Sequence, residues 1–344
     1  MKVDLMDGAC TPEEVTRALL PEIPVYDVGR NFPMELALRI GERAYDLLAT
    51  ATAQVPRPVL RLADRVARHW LVRNNSPYLA EIAALAQRSR EPGVYYVNVQ
   101  YDCTTAARPA IEGQSAILLR ALDWDITGIG RSVVAARIAN PLGAWTSLTW
   151  PGFTGVLQAM APGRFAAAIN QPTPPRVIGI SAVDRYIAKR ENWRSPHIQP
   201  IHLLRRVFET ARDFAAALEM LETTPMATSA IFTLVGTKAN EAVVIERRPT
   251  AAQLLYDAHA VNEWRTPEWR LGHHRAYENE ARLAASRLAY PQWDFRWLIW
   301  PILNSETRVA MMADPSTGRF AAQGFEEERA ATSILHLNQL RGVG

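Results

Sequence analysis

The sequence predicts an α+β domain in which helices cover stacked β-layers, an αββα arrangement. Three observations predict it. Residues 34–89 carry apolar side chains at helical spacing. After Gly93 the texture changes to short β-rich runs separated by Gly, Pro and polar turns. Strands, helices, strands, a helix and strands then follow one another, the order that layered packing produces.

The elements read as follows. "MELALRIGERAYDLLATATAQV" places Leu36, Ile40, Leu47 and Leu48 on a helical period, and Pro56 and Pro58 end it. "PVLRLADRVARHWLVRNN" is a second helix with Pro58 at its start, where a missing N–H costs little. Its Arg61, Arg65 and Arg68 share one face, opposite Leu62, Val66 and Trp70. The ordinary reading is a helix packed on the β-layers through that apolar side; the alternative is an interfacial helix that touches a membrane surface transiently. "SPYLAEIAALAQRS" is a third helix, with Ser76 as N-cap and Pro77 in its first position. "VYYVNVQ", "SAILLRAL", "SVVAARIA", "AWTSLTW" and "RFAAAIN" read as strands. The helices "IHLLRRVFETA" and "DFAAALEMLETT" follow, then the strand-like "AIFTLVG", "EAVVIERR" and "QLLYDAHAV". A helix, "HHRAYENEARLAASRLA", precedes the aromatic "PQWDFRWLIW", read as core or as the wall of an acyl-chain pocket. "TRVAMMAD" and "GRFAAQGF" are the last strands.

Composition bounds the function. The 344 residues are 48% apolar, enough for a sizeable core. The 38 basic and 35 acidic residues leave +3, too balanced for a nucleic-acid partner. Lysine occurs only at Lys2, Lys189 and Lys238, so the basic set is almost all arginine. Two cysteines, Cys10 and Cys103, make no disulfide framework. The start shows no apolar secretory core, and no long apolar run exists to span a bilayer. The expectation is a soluble protein of a reducing, cytoplasmic compartment. No cofactor is called for: "GIGRSV" lacks the third glycine of a dinucleotide loop. No metal is called for either, because adjacent His273 and His274 diverge on a helix and no third ligand declares itself.

One constellation does carry chemistry. Cys103 follows a strand-like run and precedes Thr104 and Thr105. Alone, it reads as a buried structural thiol. Its neighbours change that reading. Arg120 and Asp123 stand in "ILLRALDWD", a run otherwise fit for a core strand, where charges are costly unless they pair or serve a site. Residues three apart on a strand point to opposite faces, so a simple mutual pair is not the obvious explanation.

These residues resemble a known family. "CTT" followed by "LLRALDWD" is similar to the Cys-Thr-Ser and Gly-Arg-Asn-x-Asp segments of the acid ceramidase and N-acylethanolamine acid amidase group. That group lies within the choloylglycine (linear amide C–N) hydrolases, which are N-terminal nucleophile hydrolases. "YYVNVQYDC", "GFTGVLQAMAPGRFAAAINQ", "AIFTLVGTKANEAVVIERRP" and "AVNEWRTPEWRLGHHR" resemble further segments of the family in the same order. The resemblance covers most of the chain.

It implies an αββα catalytic portion, residues 103–344, preceded by a helical segment, residues 1–102, separated by self-cleavage at Asp102–Cys103. One precursor would then form a heterodimer of two chains. The free α-amino group of Cys103, with a reference pKa of about 7.7–8.0, would serve as base for the thiol. Arg120 would favour the thiolate, and Asp123 would hold the α-amino group. Asn262 would donate to the oxyanion, Arg275 would order Asn262, and Asn170 and Gln171 would meet the substrate. The implied substrate is a small N-acyl amide: an N-acylethanolamine, a ceramide-like lipid, an N-acyl amino acid or an N-acyl-homoserine lactone. Penicillin V acylase-type hydrolysis, acyl transfer to an amine, and an unprocessed, non-catalytic binding protein on the same fold remain open alternatives. Three departures stand out: Gln171 replaces a family carboxylate, Gly236-Thr237 replaces Gly-Gly, and "RALD" replaces Arg-Asn-x-Asp.

Overall fold

The computed structural model describes residues 20–53, 55–89, 91–98, 116–274 and 278–339. It opens with β1 (Val25–Val28) and five helices: α1 (Phe32–Arg39), α2 (Gly41–Thr52), α3 (Arg57–Arg73), α4 (Leu79–Ser89) and the single turn α5 (Val94–Val97). The helix expected from residue 34 is two helices. Ile40 leaves helical geometry at φ −134° and ψ 45°, and its N–H closes α1 on the Leu36 carbonyl. The third helix starts later than its expected cap: α4 begins at Leu79, and the Ser76 hydroxyl accepts from the Tyr78 N–H at 3.4 Å.

The strand expected at "VYYVNVQ" is instead the helical turn α5. The cause is tertiary. Gly93 adopts φ 111°, and the Asp64 carboxylate on α3 accepts from the Gly93 N–H at 2.7 Å and the Tyr96 N–H at 3.0 Å. A helix start needs acceptors for its first N–H groups, and a carboxylate from outside the segment overrides the β preference of Val and Tyr.

The remaining elements are β2 (Leu118–Asp123), β3 (Val134–Ile138), β4 (Trp145–Thr149), β5 (Gln158–Ala161), β6 (Phe165–Asn170), α6 (Ser181–Asn192), α7 (Pro200–Thr210) and α8 (Phe214–Thr223). They continue with β7 (Ala230–Val235), β8 (Ala242–Arg248), β9 (Ala251–Leu255), the short α9 (Pro267–Arg270), α10 (Asn279–Leu288), β10 (Thr307–Asp314), β11 (Arg319–Glu326), β12 (Arg329–Ala330) and β13 (Leu335–Asn338). One sheet has the order β1-β3-β4-β5-β6-β7-β8-β9, with β1 parallel to β3 and the other pairs antiparallel. The second has the order β12-β11-β10-β2, with β13 also on β11.

Period-two alternation sorts the faces. On β6, the Phe165 ring lies 4.9 Å from Phe208 of α7, so Phe165, Ala167 and Ile169 face the helices. Ala166, Ala168 and Asn170 therefore face the second sheet. On β2, Leu118 and Leu122 join the large core shared with the first sheet, while Leu119 and Ala121 join Phe295, Trp297, Leu298 and Ile302 on the other side. The layers are thus α7 with α8, the first sheet, the second sheet, and α10 with residues 290–303. The αββα expectation holds. "GIGRSV" has a packing role: a Cβ on Gly130 would fall 2.0 Å from the Phe325 carbonyl oxygen of β11.

The N-terminal helices are tied to this body by buried charge. Arg205 of α7 donates to Glu81 of α4 at 2.7 and 3.0 Å and to Glu209 at 2.9 Å, beneath the Tyr78 ring. On α3, Leu60, Ala67, Trp70 and Leu71 turn inward. Leu62 and Val66 do not, against the expected apolar packing face; they are 61% and 37% exposed. Trp70 is drawn in by its indole, which donates to the Ser195 carbonyl at 3.1 Å. No helix among the described residues is long and apolar enough to cross a membrane.

Candidate active site

Arg120 is fully buried between the two sheets. Its Nε donates to Gln158 Oε1 at 2.9 Å, and its Nη1 donates to Asn170 Oδ1 at 2.9 Å. Register explains the convergence. Gln158 on β5 pairs with Ala168 on β6, so it shares a face with Ala168 and with Asn170 two residues on. Both amides aim at β2, and Arg120, with Leu118 and Leu122, aims back. A guanidinium only donates, so each amide must present its oxygen to it; the remaining donors of Asn170 are those of its NH₂ group. The planar fork, held at two points on two strands, fixes a positive charge in one orientation.

Asp123 is buried on the other side of β2. Its carboxylate accepts from Arg282 Nη1 at 3.0 Å, Asn304 Nδ2 at 3.0 Å and Thr307 Oγ1 at 2.9 Å. Burial pushes its carboxyl above the ordinary range, against the pull of Arg282, Asn304, Thr307 and Arg120. Arg120 and Asp123 are therefore not hydrogen-bonded partners of one another.

The chain leaves β6 at Asn170 and passes Gln171 beside the loop of Asn262. The Thr173 N–H donates to the Asn262 carbonyl at 3.1 Å, and Pro175 bridges antiparallel to His273. Asn262 is half-buried between the buried Val261 and Glu263. Asn170, Gln171 and Asn262 are thus brought to one end of the first sheet, with Arg120 bonded to Asn170. Asp102, Cys103 and Arg275 lie outside the described residues, as does Cys10.

The last described residue before Cys103 is Asn98. Asn98 is buried; its Nδ2 donates to the Gly152 carbonyl at 3.1 Å, and its Oδ1 accepts from the Thr154 N–H at 2.7 Å and hydroxyl at 2.8 Å. Beside it is a cavity of about 490 Å³ between α2, α4 and α5 and the loops after β2 and β4. Leu47, Leu48, Tyr96, Trp124, Trp150 and Phe153 are among its walls. Its size and apolar, aromatic lining suit a small molecule with a hydrocarbon part. The aromatic run "PQWDFRWLIW" follows its core reading rather than the alternative of a pocket wall: Phe295, Trp297 and Leu298 pack on the outer face of the second sheet.

Sequence reasoning missed Gln158, whose signal was a lone amide in the apolar "VLQAMA". It also missed Arg282, Asn304 and Thr307, which carry no local signal. His274 bonds Asp184 through Nε2 at 2.8 Å, and His273 packs edge-on to Trp264 at 5.8 Å. Among the described residues no group of three or more His, Cys, Asp or Glu side chains is placed to hold a metal ion.

No family model matches the chain. It is 24% identical over 277 residues to a probable acid ceramidase of Caenorhabditis elegans, an overlap of 73% of this chain and 64% of that protein. The chain thus spans just under two thirds of the length of that curated relative. Among solved structures, it is similar to the Caenorhabditis elegans ortholog of N-acylethanolamine-hydrolyzing acid amidase, with 18% identity and a TM-score of 0.47 over 62% of this chain and 93% of that one. It is also similar to a mutant conjugated bile acid hydrolase from Clostridium perfringens, at 9% identity and a TM-score of 0.36, over 70% and 93% of the two chains. Both scores mark a loose likeness.

Proposed function

We propose that this chain, acid ceramidase-like in sequence and αββα in fold, is a cysteine N-terminal nucleophile amidase acting on linear N-acyl amides. The observation that carries the reading is the buried Arg120 fork. Two separated sequence segments that resemble family motifs meet there: Arg120 on β2, and the run that supplies Gln158 on β5 and Asn170 on β6. Asn262, from a third segment, adjoins them through Thr173.

In this reading the precursor cuts itself at Asp102–Cys103, giving residues 1–102 and 103–344. The new α-amino group takes the proton of the Cys103 thiol. The thiolate attacks the substrate carbonyl, and the resulting oxyanion receives a hydrogen bond from Asn262, a donor worth about 3–4 kcal/mol in such sites. Arg275 orders Asn262. The C–N bond breaks, the proton passes to the departing amine, and a thioester remains. Water then cleaves the thioester and restores the thiol. Arg120 contributes a fixed positive charge that favours the thiolate. Asp123 holds the α-amino group, the role the resemblance gives it, and Asn170 and Gln171 meet the substrate. The cavity beside Asn98 takes the acyl chain.

A membrane surface is the proposed source of substrate. Val59, Leu62 and Val66 form an exposed apolar stripe on α3 beside Arg61, Arg65 and Arg68. The turn before α6 adds exposed Val177, Ile178 and Ile180, and α6 itself adds Tyr186. The two helices are neighbours, because Trp70 and Arg73 of α3 both donate to carbonyls just after α6. Such a basic, apolar surface suits an anionic interface.

Denaturing mass spectrometry and an N-acyl amide panel test the reading together. Two chains should appear, Cys103→Ala should give one, and only the cut protein should release amine. Cleavage at the same bond in Cys103→Ala sinks self-processing. The carboxamide at Gln171 favours a second reading, an uncut binding protein, and Gln171→Glu distinguishes them. If the missing carboxylate limits maturation, this variant raises the cleaved fraction; an identical time course shows that position 171 does not set the rate.

A further inference from the structure

We infer that Asp184 and His274 form a positioning latch that holds the loop from Asn262 to His274 against the segment following Asn170. The inference rests on the amidase reading of those residues.

Asp184 is the one buried residue of α6, an otherwise half-exposed or exposed helix. Its side chain is occupied on three sides. Oδ1 accepts from the Ile178 N–H at 2.8 Å, and Oδ2 accepts from the Gly179 N–H at 3.0 Å. His274 Nε2 completes the set at 2.8 Å from Oδ2. The carboxylate therefore ties together the turn before α6, the helix itself and a residue 90 positions away. Burial works to raise this carboxyl, but the Ile178 and Gly179 amides and the His274 ring outweigh it and hold it below the ordinary range.

The backbone on either side shows what is latched. His274 N–H donates to the Pro174 carbonyl at 3.2 Å, Arg176 N–H donates to the Gly272 carbonyl, and Thr173 N–H donates to the Asn262 carbonyl. This ladder is short and built around Pro172, Pro174 and Pro175, which supply no N–H. Within the ladder itself the prolines leave few N–H groups to donate, while the buried Glu246 carboxylate holds the Asn262 loop from its other side by accepting from the Arg265 and Thr266 N–H groups. The side-chain bond between His274 and Asp184 closes the far end of the ladder, one residue before Arg275. A purely structural hydrogen bond would stabilise α6 and do no more. A latch at this place sets where the oxyanion donor stands, and a misplacement of about 1 Å there costs on the order of a hundredfold in rate.

The test is His274→Ala in the full matured chain, read by amide hydrogen exchange and by steady-state kinetics. Exchange over residues 171–179 should speed up about tenfold, the signature of local opening. With the N-acyl amide that wild type cleaves fastest, kcat should fall about tenfold to a hundredfold while KM changes less than threefold. His274→Gln, which keeps a donor for Asp184, should restore both. Unchanged exchange in His274→Ala overturns the latch. Faster exchange with kcat within twofold of wild type overturns the positioning role. If His274→Ala does not fold, Asp184→Asn replaces it, with the same faster exchange expected and wild-type exchange overturning the inference. A wild-type protein that cleaves no N-acyl amide defeats the amidase reading, whereas the exchange measurement still decides the latch.

Discussion

Arg120 and Asp123, three residues apart on β2, serve opposite sides of their sheet: Arg120 bonds Gln158 and Asn170 between the sheets, and Asp123 bonds Arg282, Asn304 and Thr307 beyond them. Two buried charges that look like a pair in the sequence belong to two networks.

Arg120→Lys separates charge from geometry. An ammonium keeps the positive charge but cannot reproduce the planar fork that reaches both Gln158 and Asn170. Loss of one hydrogen bond to a charged group costs about 1.5–3 kcal/mol, and activity should fall further than that stability loss explains. Enzyme that melts near the wild-type temperature with full kcat removes Arg120 from the site.

Asp123→Asn tests the second network. It keeps the side chain's shape and removes the charge to which Arg282, Asn304 and Thr307 donate. The pH sign follows from the raised carboxyl. Its stabilising contribution is complete below the ordinary carboxylate pKa and is lost as pH rises through the raised folded value. The stability gap between wild type and Asp123→Asn should therefore be widest at acid pH and narrow as pH rises through that window. Turnover lost beyond the fraction unfolded assigns Asp123 to catalysis; full specific activity in the folded fraction makes it structural.

Arg205 holds the N-terminal helices to the body through Glu81 and Glu209. Arg205→Gln should cost about 3–5 kcal/mol, because two half-buried carboxylates lose the buried cation they share. Burial already raises the Glu81 carboxyl. Acidification should then recover part of the loss, as Glu81 protonates. Thermal melts across the carboxylate range read this directly. In self-cleaved protein the same variant should let the two chains separate on a sizing column.

Leu62→Asp combined with Val66→Asp removes the exposed apolar stripe of α3 without touching Leu60, Ala67, Trp70 or Leu71, which pack inward. Sedimentation with anionic phosphatidylserine vesicles should fall at least about threefold, from lost apolar insertion and charge repulsion together. Equal sedimentation of variant and wild type rules out this face as the membrane contact.

Several elements were legible because their signals are local. The run "DFAAALEMLETT" reads as a helix and is α8, whose first turn the Asp213 side chain caps by accepting from the Ala216 N–H. The runs around Arg120, Phe165 and Phe232 read as strands and are strands, because alternation and β-branched content act within a few residues. Gly130 was visible only as part of a failed nucleotide loop; its contact with Phe325 on β11 is an approach between distant segments that no local pattern encodes. "VYYV" misled for the same reason, since the Asp64 carboxylate that makes it helical lies about thirty residues earlier.

By itself the sequence determined the αββα order of elements, the presence of buried charge on β2, and the family resemblance that singles out Cys103, Arg120, Asp123, Asn170, Gln171, Asn262 and Arg275. Tertiary structure alone decided which side chains those charges meet. Periodicity states that a residue is on a strand and which neighbours share its face. It does not state which strand lies opposite, and that depends on sheet order and register. Arg120 meets Gln158 because β5 and β6 present that face to β2, and Asp123 meets Arg282 because α10 covers the other. The free energy of a buried charge is set by those partners, so the division of Arg120 and Asp123 into two networks exists only once the sheets are stacked.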